Sequence, residues 1–241
     1  PVKPEAEQLI DFEIGYKFRS KKFMLGANAY YMHYNNQLVV TGALDDVGDA
    51  IRQNVDKSYR AGIEIQAGIQ LIKRLRWDLN TTLSQNKIER YDYLAYDTQY
   101  DPDTFETVLY TPVSTVYKDT DISFSPNITA ASTIVFTPVN NLSLGFISKY
   151  VGKQYLDNTQ IDSKSIDAYL VNNLNVSYKW KPTWIGEIGL NVLVNNLFDE
   201  KYVSNGYTYS YYYRPVASND AAVTENFYYP QAGINFLAGL T

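Results

Sequence analysis

Alternation of apolar and polar side chains along long stretches is the feature that most constrains the fold of this chain. In the segment IGLNVLVNNLFDEKY, residues 188–202, apolar side chains stand at every second position from Ile188 to Val194. Side chains alternate between the two faces of a strand, so this spacing places an apolar stripe on one face. The segment then becomes polar abruptly, with aromatic residues at Phe198 and Tyr202. An apolar face, an aromatic rim and a polar opposite face are typical of a strand in a lipid-embedded β-barrel.

The same alternation recurs along the chain and predicts about nine strands. Its cleanest example runs from Ser58 to Leu71, where apolar residues occupy every second position from Tyr59 onward. Most of the predicted strands exceed the roughly five or six residues usual in soluble sheets and approach the roughly nine to eleven that a membrane crossing needs. The predicted strands cover residues 9–19, 23–36, 58–71, 76–87, 125–137, 142–155, 167–180, 188–195 and 227–241.

The connections between these predicted strands sort by length. Outer-membrane barrels have short periplasmic turns and long extracellular loops, so this sorting favours such a barrel. A soluble up-and-down barrel could share the strand alternation, but it has less reason to sort its loops. Short turns are predicted at residues 20–22, 72–75, 138–141 and 181–186, and longer loops at residues 37–57, 88–121, 156–166 and 203–226.

Composition narrows the class of protein further. Hydrophobic residues make up 45% of the 241 residues, yet no apolar run reaches the roughly 18 residues of a membrane helix, so a membrane crossing would be made by strands. The 23 Tyr residues suit interfacial girdles, although a Tyr-rich soluble sandwich would share that composition. A net charge of -5 argues against nucleic acid as a partner, and 0 Cys excludes a disulfide framework and thiolate chemistry.

No pattern of residues predicts an enzyme, a metal site or a cofactor site. His33 is the single His, and no spacing of His, Asp or Glu supplies it with co-ligands. Asp97, Asp101, Asp103 and Glu106 could bind Ca²⁺, but the glycine and the spacing of an EF-hand are absent, so a solvated acidic loop is the better interpretation. Nucleophile-elbow, phosphate-loop and paired-carboxylate signatures are also absent.

The Tyr-rich segment 207–214 is the strongest binding candidate in the sequence. Tyr provides rigid, amphipathic contact area, and Arg provides a charge for carboxylates or iron-chelating oxygens. The alternative is a girdle of Tyr rings close to the membrane surface. The candidate ligand-binding residues are Tyr207, Tyr209, Tyr211, Tyr212, Tyr213 and Arg214.

The polar faces of the predicted strands indicate a wet barrel lumen. Arg60 and Glu64 share one such face, two pleats apart, and we expect them to pair. The opposite face is predicted to contact lipid, as at Ile63, Ile65, Leu190, Val192, Ile234 and Phe236. The predicted lumen-wall residues are Arg60, Glu64, Gln66, Asp78 and Asn80.

Several stretches, in their order along the chain, resemble the barrel of TonB-dependent outer-membrane receptors. FEIGY at residues 12–16, which follows Pro4-Glu5, resembles a strand from the middle of that barrel, and SYRAGIE at 58–64 resembles another of its strands. NNLFDEKY at 195–202 resembles the end of the penultimate strand, and YPQAG at 229–233 resembles the start of the closing strand. The resemblance covers nearly the whole chain, and the subfamily it suggests is the iron–siderophore receptors.

This resemblance implies an all-β fold, an antiparallel transmembrane β-barrel, of which residues 1–241 form the C-terminal portion of a single domain. Receptors of this family close about 22 strands around an N-terminal plug, and neither the plug nor its TonB-contacting segment has a counterpart in this sequence. Bacterial single-chain barrels have an even number of strands, so a count near nine also indicates a part of a larger barrel.

The implied function is that of an active-transport receptor in the cell outer membrane that takes up a ferric siderophore and performs no chemistry on it. The implied partners are outer-membrane lipid, a small-molecule ligand such as a ferric siderophore, and the TonB energy-coupling complex acting through the plug. Three alternatives stay open: a receptor of the same family for cobalamin, haem, a glycan or a peptide; a complete small barrel with a structural or adhesive role; and a barrel phospholipase.

Overall fold

The computed structural model describes residues 4–184 and 186–241, and its regular secondary structure within those ranges is entirely β. No helix in these ranges has the length and apolarity that crossing a membrane requires. The strands are β1 (Gln8–Arg19), β2 (Phe23–Leu44), β3 (Ala50–Ile72), β4 (Leu75–Tyr100), β5 (Thr107–Asp121), β6 (Ile128–Val139), β7 (Leu142–Val151), β8 (Gln154–Tyr155), β9 (Ser165–Ile166), β10 (Tyr169–Trp180), β11 (Ile188–Asn195), β12 (Val203–Pro215), β13 (Val223–Pro230) and β14 (Asn235–Leu240).

Nine of these strands are paired in series, in the order β1-β2-β3-β4-β6-β7-β10-β11-β14, within a 12-stranded sheet to which β5, β12 and β13 also belong. All neighbours in this series pair antiparallel. Each of the nine strands predicted from alternation overlaps one of these nine, so that prediction is confirmed, except that the last predicted strand, 227–241, combines β14 with part of β13. We call these nine strands the wall, apart from the ends of β2, β3 and β4 at residues 37–57 and 88–100. The antiparallel all-β fold is confirmed with it.

The register of the wall aligns its apolar residues across eight strands. Because directly paired residues point to the same face, the row forms one uninterrupted apolar band on that face. Trp77 at the centre of the band donates its indole N–H to Ser132 Oγ at 2.9 Å, which satisfies the one polar atom of the ring. The row consists of Phe23, Ile69, Trp77, Ile134, Phe146, Leu174, Val194 and Phe236, each paired with the next.

The opposite face of the wall is most polar on β3 and β4, whereas β11 and β14 carry the apolar pair Leu193 and Leu237 on that face. Gln66 pairs with Asn80, and Asn80 pairs in turn with Ala131, whose neighbour is Lys149. Charged and amide side chains therefore occupy the face from which the apolar row is absent.

The short turns predicted between strands lie together along one edge of the wall. The amide of Gln70 donates to Lys22 O at 2.8 Å, that of Thr137 donates to Arg74 O at 2.8 Å, and that of Lys179 donates to Asn141 O at 2.8 Å. Each of these bonds joins one turn to a neighbouring strand end, so the turns at residues 20–22, 72–75 and 138–141 lie at the same edge, as predicted.

The prediction of long loops is mostly wrong, because most of these segments are strands in the structure. β2 and β3 continue as a hairpin to Leu44 and from Ala50, and β4 continues to Tyr100 before returning as β5. The segment 203–226 contains β12 and part of β13. Among the predicted loops, 156–166 is irregular except for the two-residue strand β9. We call residues 37–57, 88–122, 154–166 and 203–230, which lie beyond the edge of the wall opposite the short turns, the cap.

The last predicted strand, 227–241, is two strands in the structure. Phe227–Pro230 belongs to β13 and pairs with β12 in the cap, whereas β14 begins at Asn235 and pairs with β11 in the wall. The apolar alternation continues through the break, because Tyr228 and Phe236 have the same parity. Alternation alone therefore could not locate the change of sheet partner.

Both outer edges of the wall are open. β1 pairs only with β2 and β14 pairs only with β11 within the described ranges. Every residue of both edge strands is exposed. The wall is accordingly an open sheet, consistent with a part of a barrel rather than a closed one.

Candidate binding surface

The cap has a small apolar core where its hairpins meet. Val39, Val55, Ile88, Tyr91 and Ile122 form a cluster in which each residue is at most 4% exposed. These five residues come from β2, β3, β4 and the segment after β5, so they fix the first two hairpins to each other. Burial raises the pKa of the Tyr91 hydroxyl, which lies outside the wall.

A buried ion pair lies next to this apolar core. Lys164 Nζ is 2.9 Å from Asp157 Oδ2, and the two side chains are 2% and 1% exposed. The same ammonium group lies 4.5 Å from the centre of the Tyr93 ring, and the other carboxylate oxygen, Oδ1, accepts bonds from the amide and hydroxyl of Thr159 at 2.9 and 2.6 Å. Burial alone would lower the pKa of Lys164, but the attraction of Asp157 outweighs it and leaves that pKa raised.

The segment 156–160 fits closely against the β2–β3 hairpin. Asn158 donates to Val40 O at 2.7 Å and accepts the Ser123 amide at 2.8 Å. A Cβ at Gly42 would lie 2.7 Å from Asp157 Cβ, and the φ of Gly42 is +92°. Only glycine therefore allows this approach, so the segment 156–160 is positioned by contact rather than by its own secondary structure.

The β12–β13 hairpin is held to β4 by strand pairing and an ion pair. Residues 212–215 pair parallel with residues 97–100. Arg214 contacts Asp97 through Nε at 3.1 Å and Nη2 at 2.6 Å, in the bidentate geometry that favours guanidinium–carboxylate pairs. The hydrogen bonds from Arg214 hold the pKa of Asp97 below its usual range.

The two faces of β12 have different environments. Tyr207 stacks on Phe227 at 4.7 Å, Tyr209 lies 6.0 Å from the same ring and Tyr209 stacks on Tyr211 at 6.0 Å. Glu225 accepts the hydroxyls of Tyr209 and Tyr211 at 2.6 and 3.0 Å. The bond to Glu225 raises the pKa of Tyr209 to about 12. On the other face, Thr208 is 2% exposed.

The structure divides the predicted ligand-binding residues between these faces. Tyr207, Tyr209 and Tyr211 form the aromatic row, and Tyr213, which is 52% exposed, stacks on Tyr100 at 4.8 Å. Tyr212 and Arg214 lie at alternate positions on the other face, where Arg214 Cζ is 5.3 Å from the Tyr212 ring centre. Because Arg214 is engaged by Asp97, its charge is already balanced within the cap. The interpretation of this segment as a loop is wrong, since all six residues belong to β12.

The acidic segment is a solvated turn at Asp101, Asp103 and Glu106, as the sequence predicted, but Asp97 is an exception. Asp97 is 3% exposed and paired with Arg214. Asp101 accepts the amides of Asp103 and Thr104 in a turn. His33 lies within β2, opposite Ile10 and Tyr59, and the described residues contain no group of three His, Cys, Asp or Glu that could hold a metal ion.

The structure brings the predicted lumen-wall residues onto one face. Arg60 and Glu64 line a cavity of about 340 Å³, and Glu64, Gln66, Asp78 and Asn80 line an adjoining cavity of about 290 Å³. The predicted pair of Arg60 with Glu64 is wrong: Arg60 donates to Asn86 Oδ1 at 3.3 Å and to Ser125 Oγ at 3.0 Å. Four residues along a strand span about 13 Å, which is too far for contact.

Asn196 is a structural residue that the sequence did not single out. It is 3% exposed, and its side chain donates to Glu200 O at 2.9 Å and Ala232 O at 3.1 Å while accepting the Glu200 amide at 2.9 Å. Its φ of 49° and that of Asp199, 53°, are in the left-handed region that Asn and Asp tolerate best. Asn196 therefore fixes the 196–202 turn to the approach of β14, and the Asn-Asn and Asp residues of the segment were the available signal.

Comparison with known proteins places this geometry in a family. The model described as TonB dependent receptor-like, beta-barrel matches residues 5–197. The pesticin receptor of Yersinia enterocolitica is 23% identical over 205 residues, which cover 84% of this chain and 26% of that receptor. The chain thus spans about a quarter of the length of the curated relatives it matches.

Two solved structures share the fold. The ferric yersiniabactin uptake receptor from Yersinia pestis superposes with a TM-score of 0.61 at 18% identity, over 97% of this chain and 29% of that one. The copper transporter OprC gives a TM-score of 0.64 at 16% identity, over 99% of this chain and 31% of that one. The named cargoes of the two proteins differ.

Proposed function

Because this chain belongs to the TonB-dependent receptor family, we propose that it forms part of the barrel of an outer-membrane receptor that takes up a ferric siderophore. Proteins of this family are outer-membrane transport receptors and not enzymes. Residues 1–241 would then be the C-terminal portion of one barrel domain, and the plug would be supplied by sequence outside this chain. The observation that supports this proposal most strongly is the apolar row across eight strands, which lies on the face opposite the polar side chains.

In this proposal the apolar row contacts outer-membrane lipid and the polar face borders the lumen. A transmembrane barrel needs an apolar outer band about 25 Å tall, and its interior is polar. Arg60, Glu64, Gln66, Asp78 and Asn80 would then line the space that a plug fills. The hydrogen-bonding groups on this face suit contact with a plug that is made partly through bridging water molecules.

The cap would lie outside the cell and the short turns in the periplasm. Support comes from the difference between the two edges of the wall, since outer-membrane barrels have their short turns on the periplasmic side. The cap hairpins share a buried core and an ion pair, so they form one fixed structure rather than independent loops. Such a structure can present a preformed surface to a ligand from the medium.

We place the ligand-binding role on the partly exposed aromatic face of β12, with Tyr207, Tyr209, Tyr211 and Tyr213 as its residues. Flat aromatic faces offer stacking area for a planar chelate at a low cost in side-chain entropy. Tyr212 and Arg214 would support this row from the other face of the strand. The siderophore assignment draws on the named cargo of the ferric yersiniabactin uptake receptor, and the TonB complex would drive release through the plug.

Uptake by the full-length receptor tests the proposal. A strain that lacks the receptor should regain growth on a ferric siderophore as sole iron source when it expresses the full-length receptor. Its import of radiolabelled iron should stop when TonB is absent. Replacing Tyr209 and Tyr211 by Ala should weaken siderophore binding, whereas Tyr110→Ala, a more exposed Tyr on β5 that serves as the control, should not. Import of copper, cobalamin, haem, a glycan or a peptide in place of the siderophore would assign the receptor to another ligand. Absence of any energy-dependent import would favour a structural or adhesive barrel.

A further inference from the structure

The first two short turns of the wall, between β1 and β2 and between β3 and β4, are rich in positive charge. Lys21 and Lys22 lie in the first turn, and Lys73 and Arg74 lie in the second. All four residues are exposed. The sequence around both turns lacks acidic residues, since no Asp or Glu occurs in residues 14–44 or 65–77. We call these two turns the basic turns.

The basic turns are neighbours in the structure. The amide of Gln70 donates to Lys22 O at 2.8 Å, which attaches the first turn to the end of β3, and β3 leads directly into the second turn. Arg74 Nη1 donates to the carbonyl oxygen of Pro138, which is uncharged, so Arg74 keeps its positive charge. Within the described ranges, none of the four basic side chains forms a salt bridge. The two turns therefore form one surface of four cations that no carboxylate neutralises.

The basic turns lie directly beyond the end of the apolar row. Phe23 follows Lys22 in the sequence, and in the row it pairs with Ile69, which in β4 is paired with Trp77. Phe18 is 46% exposed, and the centre of its ring lies 6.3 Å from that of Phe23. The cations are thus only a few residues away from the side chains that we propose to contact acyl chains.

All 3 Trp residues of the chain lie at the same edge of the wall. Trp77 is three residues beyond Arg74, Trp180 ends β10, and Trp184 follows in the next turn. Trp180 is 50% exposed and Trp184 is 76% exposed. Indole rings are enriched where acyl chains give way to lipid head groups, because one end of the ring is apolar and the other is wet. The basic turns are therefore at the level of the head groups.

The opposite end of the molecule has the reverse charge. In the cap, acidic residues outnumber basic ones by more than two to one, and the net charge of the whole chain is -5. The basic turns are therefore a local feature and not part of a uniformly cationic protein. Each Lys or Arg near an anionic membrane surface is attracted to it over a distance of about one Debye length. The edge with the basic turns thus attracts anions, whereas the cap does not.

We propose that the basic turns bind the head groups of anionic phospholipids in the leaflet that borders the short turns. The lipid phosphate contacts the basic side chains of the two turns, and the acyl chains lie along Phe18 and Phe23. A zwitterionic lipid offers the same phosphate, but its ammonium ion is repelled by these cations. An acidic protein would also be attracted by the charge, but the apolar row beside the turns favours a lipid. This inference rests on the membrane location in the proposed function and not on the identity of the transported ligand.

Lipid retention by the full-length receptor tests this surface. The receptor is purified in detergent, exposed to equal amounts of phosphatidylglycerol and phosphatidylethanolamine, and analysed by native mass spectrometry. Wild type should retain the anionic glycerol lipid at least about fivefold more than the ethanolamine lipid, which is the factor expected for one Lys near an anionic surface. The triple variant Lys21→Gln with Lys22→Gln and Lys73→Gln should lose that preference. The corresponding triple variant with Arg, which keeps the charge, should retain it.

A matched control changes three charged residues at the same edge of the wall. The ammonium groups of Lys179 and Lys181 lie 3.1 and 2.6 Å from the carboxylate oxygens of Glu187, which offsets much of their charge. The variant Lys179→Gln with Lys181→Gln and Glu187→Gln should therefore keep the preference for phosphatidylglycerol. Heat-modifiability on a gel shows that each variant is folded.

Three outcomes would overturn the proposal. Equal retention of both lipids by wild type would show that the basic turns do not select an anionic head group. An unchanged preference in the triple Gln variant, or an equal loss in the control variant, would place the lipid contact elsewhere. Iron uptake is measured on the same variants. If wild type had no lipid preference but the triple Gln variant lost uptake, the turns would serve an acidic protein instead. If wild type preferred the anionic lipid but imported no ligand, the proposed transport function alone would be rejected.

Discussion

The wall and the cap are stabilised by different interactions. In the wall, long strands pair in register, and even the apolar row leaves its side chains partly exposed, as Phe236 at 75% and Ile134 at 39% show. In the cap, the hairpins pack around side chains that are almost completely buried, including the charged pair of Asp157 and Lys164. The wall depends on its surroundings to cover its side chains, whereas the cap covers its own.

This difference indicates two kinds of environment for one sheet. A face with large exposed apolar groups is stable where the solvent is itself apolar. A structure whose ions and amides are satisfied internally is stable in water, where burial of apolar surface drives packing. The boundary lies within single strands, since β4 runs from the wall at Leu75 into the cap at Tyr100. Changes at matched positions on either side of that boundary should therefore have different consequences.

The largest expected effect comes from the open edges of the wall. Residues 1–241 expressed alone with a signal peptide should aggregate or be degraded, because β1 and β14 leave unpaired backbone groups that cost several kcal/mol each in lipid. Heat-modifiability on a gel is the measurement, and the full-length receptor is the control. A compact, heat-modifiable monomer of the isolated chain would show that it is a complete small barrel and would break the receptor proposal.

In the cap, the largest effect should come from breaking the buried ion pair. Lys164→Met leaves the Asp157 carboxylate buried without its cation and should cost about 3–5 kcal/mol. The expected result is rapid protease cleavage within the cap, while the wall stays folded and heat-modifiable. Lys153→Met is the matched control, because its pair with Asp162 is exposed, at 41% and 85% for the two side chains, and such pairs contribute little. Equal cleavage in both variants would mean that burial of the pair does not hold the cap together.

In the wall, the comparison between faces can be tested at adjacent residues. Ile65 pairs with Ala27 and Thr81 on the apolar face, and Gln66 lies next to it on the polar face. Ile65→Arg should cost about 2–4 kcal/mol near the membrane midplane, and Gln66→Arg much less because the lumen is wet. Folding titrations of the full-length receptor into bilayers measure both costs. If the costs were equal, the two faces would not differ in environment.

The same comparison explains how far the sequence predicted the structure. In the wall, one face is apolar and the other polar, so alternation located all nine strands. In the cap, the buried face of β4 carries Tyr91, Ala95 and Asp97 while the exposed face carries Leu94 and Tyr96. Neither face is uniformly apolar, so periodicity gave no strand signal although the backbone is extended.

The candidate site was predicted less completely for a related reason. The Tyr-rich segment was identified by composition, but composition does not tell which Tyr lies on which face of a strand. Arg214 appeared free to bind a ligand because its partner, Asp97, is 117 residues away in the sequence. The buried pair of Asp157 and Lys164 lies in a segment with no periodicity at all. The candidate site is therefore determined by contacts between residues that are distant in the sequence, which local sequence patterns do not reveal.

A glycine of the cap allows packing to be separated from backbone strain. Gly42 and Gly48 have nearly the same φ, +92° and +90°, but only Gly42 has neighbours within 4 Å of an added Cβ. Gly48→Ala should therefore cost about 1–2 kcal/mol from strain alone. Gly42→Ala should cost about 1–3 kcal/mol more, because the methyl group displaces the segment at Asp157. Protease resistance of the cap in the two variants measures the difference, and similar behaviour would show that this segment is not seated on the β2–β3 hairpin.

The smallest expected effect is a change of the cap with pH at the ion pair between β12 and β4. Arg214 lowers the pKa of Asp97 in the folded state, so the pair stabilises the cap at all pH values above the ordinary Asp pKa. That contribution is lost as the pH falls through the lowered pKa. The protection factors of the amides of residues 212–214, which compare the observed exchange rate with the intrinsic rate at the same pH, should thus be unchanged between neutral pH and about pH 5 and should fall only in stronger acid. Asp97→Asn should exchange faster already at neutral pH and lose this acid step. If acid still increased exchange in that variant, the titrating group would lie elsewhere in the cap. If exchange in β7 changed equally, the wall and the cap would not open separately.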